Sequence, residues 1–336
     1  MSVFRWSDIK DAVFPAAGGT RAIINSGSGK LETYGNVVPS DGEAGYAKGC
    51  TFKDAAYGKI YVNEGTNTSC EFKELLAVPR YAETAADRGP SPLIWDNCPV
   101  LDYIVNPVKG SHYFEDFKGD ILSVTNSTMK NSHLGFFNDD GPTHQIVNDD
   151  IHGVLRVEGN DADNDESIMS YGGEGGVVCP TAGKKFWFEA RVRRDTITNN
   201  ELAMFIGLAE EGLCATLSLD EDSGDLLTGK DWLGFHADHG NADAIDFVHG
   251  DGTGDAVVAG AGIAVPVAAE WDKLGMYCDG VTVFAYHDGV LVDSILLSAA
   301  DMPLGEELGM YWIVKNGGTS TEFKGSIDWW RLAVEY

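Results

Sequence analysis

The chain has 336 residues, 43% of them hydrophobic, which is enough for a large core and for two domains. Its 52 acidic and 24 basic residues give a formal net charge of −28 at pH 7, with no basic patch and no apolar stretch of membrane-spanning length. We therefore expect neither a nucleic-acid nor a membrane partner, and the opening residues Met1–Trp6 lack the apolar run of a signal peptide.

The negative charge is unevenly distributed along the chain. Residues 1–110 hold 11 basic against 13 acidic residues, whereas residues 111–336 hold 13 against 39. A nearly neutral front part can approach another surface, while an acidic part repels polyanions and its own copies. We interpret the two parts as a docking end and a solvent-facing end. High solubility, or adaptation to a salty medium, explains the acidity equally well.

Three segments precede the acidic part. Residues 1–20 carry apolar side chains at helical spacing before Pro15, which predicts a short helix or an extended arm. Residues 21–78 contain short β-like runs separated by Gly, Asn and Ser, which predicts a small β domain. Residues 79–111 hold five of the eleven prolines, so we predict a Pro-rich linker or irregular strap there.

Residues 112–336 read as long alternating strands. In Phe186–Arg193 the apolar side chains occupy one face and the polar ones, Glu189 among them, occupy the other. Asp-Gly pairs at 279–280 and 288–289 separate alternating runs and predict two consecutive type I′ hairpins, because both central residues of that turn need positive φ. Since no long helical periodicity is present, we predict a large β-sandwich and an all-β chain.

The six cysteines are widely spread, and no Cys-x-x-Cys pair is present. We predict that most are reduced and buried. Cys50 and Cys70 lie in similar tetrapeptides, Cys-Thr-Phe-Lys and Cys-Glu-Phe-Lys, and could meet on neighbouring strands. Whether they form a disulfide stays open at this level.

The sandwich region resembles a known fold family. Trp271–Gly275 with its strand, the Tyr286–Val290 hairpin, the Phe186–Arg193 strand and the final Ile327–Trp330 segment are similar to the concanavalin A-like jelly roll. Legume lectins, laminin G-like modules and several glycosidases share that fold. The resemblance spans roughly residues 112–336 and implies the fold, but one sandwich hosts many activities.

A second resemblance lies in the small β domain. Gly45–Phe52 followed by Tyr61–Cys70 is similar to a short module of structural proteins encoded near the head genes of tailed bacteriophages. Members are often head-decoration or head-fibre proteins. The resemblance implies that the N-terminal part binds the outer face of the major capsid shell and that the sandwich projects outward. It also implies a location on the outer surface of the virion, after synthesis in the host cytoplasm.

Glycosidases with the jelly-roll fold carry a Glu-x-Asp-x-x-Glu strand, and a retaining pair of carboxylates is separated by about 5 Å. The nearest match, Asp243–Val248, lacks both glutamates. Glu189 stands alone beside arginines, where we expect an ion pair. We therefore predict that the chain is not an enzyme.

Two loops carry weak metal-binding patterns. Asp161, Asp163 and Asp165 resemble the opening of an EF-hand loop, but position six is Glu166 and position twelve is glycine, so both diagnostic positions fail. His236 and His239 form a His-x-x-His pair in a Gly- and Asp-rich loop, which is a weak metal signal without helical spacing or cysteines. We expect solvated loop residues and no cofactor.

Exposed tryptophans would favour glycan binding, because aromatic rings stack on sugar faces. Trp187, Trp232 and Trp312 are the candidates for glycan contact. A role in the core or as edge cover is the alternative for all three.

The leading hypothesis is a non-enzymatic head-decoration or cement protein that binds the major capsid protein through residues 1–78. Aromatic and aliphatic side chains usually dominate interfaces, so we expect the capsid-docking anchors to come from the N-terminal arm. These are Phe4, Trp6, Ile9, Val13 and Phe14. A homo-oligomer is expected, for example a trimer at a threefold position of the shell. The alternative is a carbohydrate-binding adhesin or tail-fibre-like module whose jelly roll recognises host glycans.

Overall fold

The computed structural model describes most of the chain from residue 21 onward, and the chain divides into two compact units, residues 1–81 and 82–336. The described residues are 21–25, 29–35, 37–54, 60–74, 88–117, 124–125, 129–130, 134–139, 142–147, 153–159, 164–172, 176–199, 201–213, 217–220, 223–240, 244–317 and 323–336. No helix among them is long and apolar enough to cross a membrane.

The first unit contains one five-stranded sheet, with strands in chain order. These strands are β1 (Arg21–Asn25), β2 (Gly29–Gly35), β3 (Tyr46–Asp54), β4 (Ile60–Asn63) and β5 (Phe72–Glu74). Strands β2 and β3 are parallel and the other pairs are antiparallel. The short runs separated by Gly, Asn and Ser therefore form a small β unit, as the pattern predicts.

The core of this sheet contains Cys50 and Cys70, which lie with Tyr46 in one apolar cluster. Both thiols are free, so the two cysteines meet without a disulfide. The buried side chain of Asn63 joins the surrounding loops. Its amide nitrogen donates to the carbonyl oxygens of Tyr46 and Ala47, at 3.0 Å each.

The second unit is a sandwich of two antiparallel sheets with two short helices. In chain order the elements are α1 (Pro92–Trp95), α2 (Val100–Val105), β6 (Gly110–Glu115), β7 (Val124–Thr125), β8 (Met129–Lys130), β9 (Leu134–Asn138), β10 (Thr143–Val147), β11 (Val154–Glu158), β12 (Glu166–Tyr171), β13 (Phe186–Arg194), β14 (Leu202–Glu210), β15 (Asp231–Ala237), β16 (Ile245–Asp251), β17 (Val257–Ala264), β18 (Trp271–Cys278), β19 (Thr282–His287), β20 (Val290–Leu296), β21 (Leu308–Asn316) and β22 (Lys324–Glu335). Sheet I has the order β20-β19-β18-β13-β22-β11-β10-β7, and β6 also pairs with β22; sheet II has the order β17-β16-β15-β14-β21-β12-β9-β8.

The main core lies between the two sheets. Strand β13 buries alternate residues there, beginning with Phe186 and Phe188, and strand β15 contributes Leu233 and Phe235 from the opposite sheet. The alternation in the sequence therefore identifies the inner face of β13 correctly. The prediction of an all-β chain with a large β-sandwich is confirmed.

The two predicted hairpins are present, and one of them differs in detail. Asp288 and Gly289 have φ values of 50° and 76° and close a two-residue turn between β19 and β20. Between β18 and β19 only Gly280 has positive φ. Asp279 instead accepts hydrogen bonds on its carboxylate from the backbone of Val281 and Thr282, at 2.8 Å each. A side-chain-capped loop thus replaces the type I′ turn.

Segments of the chain that lie outside the two sheets cover both outer faces of the sandwich. Residues 88–105, which we call the first cover segment, lie on sheet I with α1 and α2. Gly275 on β18 permits this approach, because a Cβ there would lie 2.5 Å from Cδ1 of Ile94. Of the two alternatives predicted for residues 79–111, a linker or an irregular strap, residues 88–105 have the form of a strap: they pack on the sandwich, with Pro92 and Pro99 at the starts of the two helices.

The described residues between β14 and β15, which are 211–213, 217–220 and 223–228, form the second cover segment on sheet II. It contributes Leu213, Leu219 and Leu226 to an apolar cluster that contains Trp232 and Phe205 of the sheet. The sandwich therefore has four layers where the sequence predicts two.

Candidate functional site

The polar outer face of β13 lies beneath the first cover segment. Glu189 is fully buried, and its Oε2 accepts hydrogen bonds from the Ser91 backbone at 2.9 Å and from Nε1 of Trp95 at 2.7 Å. Burial raises the pKa of Glu189. The expected ion pair with neighbouring arginines is not what holds this carboxylate; its hydrogen bonds run to the cover segment.

A second buried carboxylate on this face binds the arginines instead. Asp328 accepts hydrogen bonds from Nε of Arg88 at 2.7 Å and from Nη1 of Arg191 at 2.6 Å. The guanidinium of Arg331 lies 4.0 Å from the ring centre of Trp95. These charged groups hold the cover segment in place, and we assign them a structural role.

The second cover segment is held in a similar way. Oε1 of Glu166 accepts from the Ser218 backbone at 2.7 Å, and Oε2 accepts from the Leu219 backbone at 3.0 Å. Nζ of Lys315 donates to the Leu219 carbonyl at 3.3 Å and lies 3.7 Å from Glu166. Nε1 of Trp232 donates to the Leu227 carbonyl at 3.1 Å. Sheet and cover are thus joined by buried polar contacts on both sides of the apolar cluster.

Beside this cover lies a pocket of about 620 Å³. The second cover segment, β15, β16, β17 and the residues just before β17 form its walls. The lining residues are Asp220, Ser223, Asp225, Leu226, Leu227, Thr228, His236, Val248, Asp255, Ala256 and Val258. Its volume lies in the range of small-molecule sites, roughly 300 to 1,000 Å³.

His236 contributes a neutral imidazole ring to the lining of the pocket. Its side chain is 7% exposed, and Nε2 lies 2.9 Å from the carbonyl oxygen of Gly224. Because a carbonyl only accepts, Nε2 carries the proton in the neutral ring, and Nδ1 keeps its lone pair. Burial lowers the pKa of His236, so the ring is neutral near pH 7. No described residue donates to Nδ1.

The polar wall of the pocket is dominated by carboxylates. Asp225 and Asp255 are exposed, and Asp220 lines the pocket beside them. Oδ1 of Asp220 accepts hydrogen bonds from the backbone and hydroxyl of Ser223, at 3.0 Å each. No Lys or Arg is among the described residues that line this pocket. A ligand that enters therefore meets acceptors and negative charge, over an apolar floor that contains Leu226 and Val248.

The structure corrects the predicted glycan-contact residues. Trp187, Trp232 and Trp312 are only 1%, 0% and 1% exposed, so none of their rings is free to stack on a sugar. The first cover segment buries Trp187, the second buries Trp232, and Trp312 lies in the core between the sheets.

The predicted metal candidates do not assemble into a site within the described residues. No group of three His, Cys, Asp or Glu side chains among them could hold a metal ion. His236 and His239 are both buried, as is Asp165. Asp161 and Asp163 lie outside the described residues, as do all five predicted docking anchors: Phe4, Trp6, Ile9, Val13 and Phe14.

Sequence reasoning missed the pocket aspartates because they come from separate segments. Asp225 lies in the second cover segment and Asp255 lies just before β17. Each stands in a Gly- and Asp-rich stretch that reads as an ordinary surface loop. Only the antiparallel order of β15, β16 and β17 brings those loops together.

Among known proteins, similarity to this chain is found in solved structures. No protein-family model matches the sequence, and no curated protein is significantly similar to it. One similar solved structure is the catalytic domain of an endo-1,3-β-glucanase (laminarinase) from Thermotoga petrophila RKU-1. It is 13% identical in sequence and has a TM-score of 0.42. The similarity covers 66% of this chain and 96% of that chain.

Two further similar structures are a glycoside hydrolase family 16 endo-glucanase from Bacteroides ovatus and an endo-β-1,4-glucuronan lyase from the fungus Trichoderma reesei. The endo-glucanase is 10% identical, with 66% of this chain and 99% of that chain covered and a TM-score of 0.43. The lyase is 11% identical, with 64% and 94% covered and a TM-score of 0.42. The prediction that the chain is not an enzyme is contradicted by this comparison, because these three similar structures are those of enzymes.

The buried Glu166 carboxylate predicts a pH dependence of stability. Burial raises its pKa to about 7 in the folded protein, whereas an unfolded glutamate titrates near pH 4.3. The folded state thus binds the extra proton between about pH 4.3 and 7, and this contribution to stability is lost as the pH rises through that window.

Urea unfolding of the wild type and of Glu166→Gln, which cannot titrate, measures this effect. The free energy of unfolding of the wild type minus that of the variant is expected to be larger at pH 5 than at pH 8. A difference that stays constant, or that grows with pH, contradicts the prediction.

Proposed function

We propose that the sandwich binds carbohydrate in the pocket beside the second cover segment. The carrying observation is the chemistry of the lining: three carboxylates and a neutral imidazole nitrogen, all acceptors, stand over an apolar floor. Sugar hydroxyls supply donors to such acceptors, and the C–H faces of the ring pack on apolar side chains. The site therefore suits a polyhydroxylated ligand better than a purely apolar one.

The Asp255→Asn variant tests this site directly. Asp255 is exposed, and its replacement is expected to leave the fold intact. Loss of a hydrogen bond to a charged group is worth about 1.5 to 3 kcal/mol, so we expect glycan affinity to fall about tenfold or more.

Binding of glycans to the full-length chain is identified on an array and then measured by isothermal titration calorimetry. Asp102→Asn is the matched control, because Asp102 is an exposed aspartate on α2 that pairs with Lys109 at 2.8 Å, away from the pocket. An array without binding, or equal affinities for the two variants, would argue against this site.

We further propose that residues 1–81 attach the protein to the outer shell of a tailed-phage head. The boundary between the two units supports this, because it is also a boundary of charge. Residues 1–81 hold nine basic and nine acidic residues, which leaves fifteen and 43 for residues 82–336. The phage-like segments, residues 45–70, lie wholly in the neutral unit. A neutral surface can approach a shell without the repulsion that the acidic unit meets.

Co-sedimentation with shells of the major capsid protein tests this attachment. The full-length chain is expected to sediment with the shells, and the double variant Trp6→Ala and Phe14→Ala is expected to remain in solution with unchanged far-UV circular dichroism. Failure of the wild type to sediment would count against attachment. Sedimentation velocity of the free protein tests the expected homo-oligomer.

A further inference from the structure

We infer that the glycan taken by this pocket is cationic, with free amino groups on its sugars. This inference rests on the proposed function and names the class of its ligand. The pocket lining contains the carboxylates of Asp220, Asp225 and Asp255, and no basic side chain among the described residues that form it. An anionic sugar, such as a uronate or a sulfated glycan, would enter against three like charges.

His236 supplies a second, independent reason. Its ring is more than nine-tenths buried and lines the pocket, and the hydrogen bond from Nε2 to the Gly224 carbonyl leaves Nδ1 as an acceptor. A hydroxyl brings one donor and two acceptor lone pairs, whereas an ammonium brings three donors and no acceptor. A wall made of acceptors is therefore matched more fully by an ammonium than by a hydroxyl.

The exposed carboxylates of Asp225 and Asp255 also favour a cationic ligand over a neutral one. Asp225 and Asp255 come from different segments of the chain and both line the pocket, so each can offer carboxylate oxygens to an ammonium that enters it. Hydrogen bonds between ionised groups are about twice as strong as those between neutral groups. The surrounding unit, with fifteen basic against 43 acidic residues, also raises the local concentration of cations.

Salt dependence separates this mode of recognition from hydroxyl recognition. Charges at an open pocket are screened over about 10 Å at 0.1 M salt. Affinity for an amino-sugar ligand is therefore expected to fall as salt is raised, whereas affinity for a neutral sugar is expected to change little.

The test uses the full-length chain and three tetrasaccharides of equal length: a fully deacetylated glucosamine oligomer, its N-acetylated counterpart and a glucuronate oligomer. At pH 6 and low salt, calorimetry is expected to give at least tenfold tighter binding of the glucosamine oligomer than of the acetylated one, and no binding of the glucuronate. Asp225→Asn and Asp255→Asn are each expected to weaken glucosamine binding about tenfold and to flatten its salt dependence. Asp102→Asn is expected to change neither.

Each other outcome bears on the inference. Equal binding of the glucosamine and acetylated oligomers would overturn it and leave carbohydrate binding standing, as would tighter binding of the glucuronate. If Asp225→Asn and Asp255→Asn bind the glucosamine oligomer as tightly as the wild type does, the binding comes from the acidic surface as a whole. That result would also overturn the inference. Absence of binding by all three, together with an empty glycan array, would remove the proposed function itself.

Discussion

Replacement of Glu189 by alanine is expected to destabilise the sandwich by about 2 to 6 kcal/mol, because two buried donors would each be left unsatisfied at a cost of about 1 to 3 kcal/mol. Two donors, the Ser91 backbone and the Trp95 indole, would lose their common acceptor. Lys273, buried on the neighbouring strand, would lose the negative charge that faces it. Urea unfolding measures the loss, and hydrogen exchange at Ser91 reports release of the first cover segment.

Two further variants show which part of this effect is electrostatic. Glu189→Gln keeps one oxygen that can accept both hydrogen bonds and removes the charge, so a smaller loss than for Glu189→Ala is expected. Glu158→Ala is the matched control on β11, because Glu158 is half-exposed and pairs with Lys324 at 2.6 Å. Such exposed pairs contribute about 0 to 1 kcal/mol. A Glu189→Ala loss no larger than this control would refute the role given to Glu189.

The Trp232→Ala variant is expected to lose about 3 to 5 kcal/mol, as buried Trp-to-Ala changes do. The indole is fully buried beneath the second cover segment, packs edge-on against Phe205 at 4.9 Å between ring centres and donates to the Leu227 carbonyl. Because Leu226, Leu227 and Thr228 line the pocket, we also expect glycan binding to weaken with the loss of stability.

Trp271→Ala is the matched control for this second prediction. Trp271 is half-buried, with the guanidinium groups of Arg191 and Arg193 at 4.5 and 4.8 Å from its ring. At exposed sites such contacts are worth about 0.5 to 1 kcal/mol, so a clearly smaller loss is expected in thermal and urea unfolding. If both variants unfold at the same urea concentration, Trp232 does not hold the cover.

The sandwich could be predicted from the sequence because its signals are local. Alternation along β13 identifies the inner face, and Asp288-Gly289 supplies the positive φ values of a tight turn. The outer face of β13 could not be predicted in the same way. Alternation alone makes Trp187 and Glu189 look solvated, and the segment that buries them lies about ninety residues earlier in the chain.

The candidate site could not be predicted either, because its residues come from segments that are distant in the sequence. The sequence offers His236 as a weak metal ligand, whereas the structure places its ring in the pocket wall with one nitrogen bound to Gly224. Asp225 and Asp255 reach the same pocket only through the order of strands in sheet II. The three tryptophans that were candidates for glycan contact have the other role considered for them, in the core or beneath the cover segments.

The manner in which the two cover segments are anchored affects how the protein can diverge. Glu189 receives the backbone of Ser91, and Glu166 receives the backbones of Ser218 and Leu219. A backbone N–H is present in every residue except proline, so these anchors do not depend on which side chains the covers carry. These three backbone hydrogen bonds therefore survive side-chain changes at Ser91, Ser218 and Leu219, apart from changes to proline, while the sheets beneath stay constant. New surfaces, and with them new ligands, can arise on this sandwich without any change to its core.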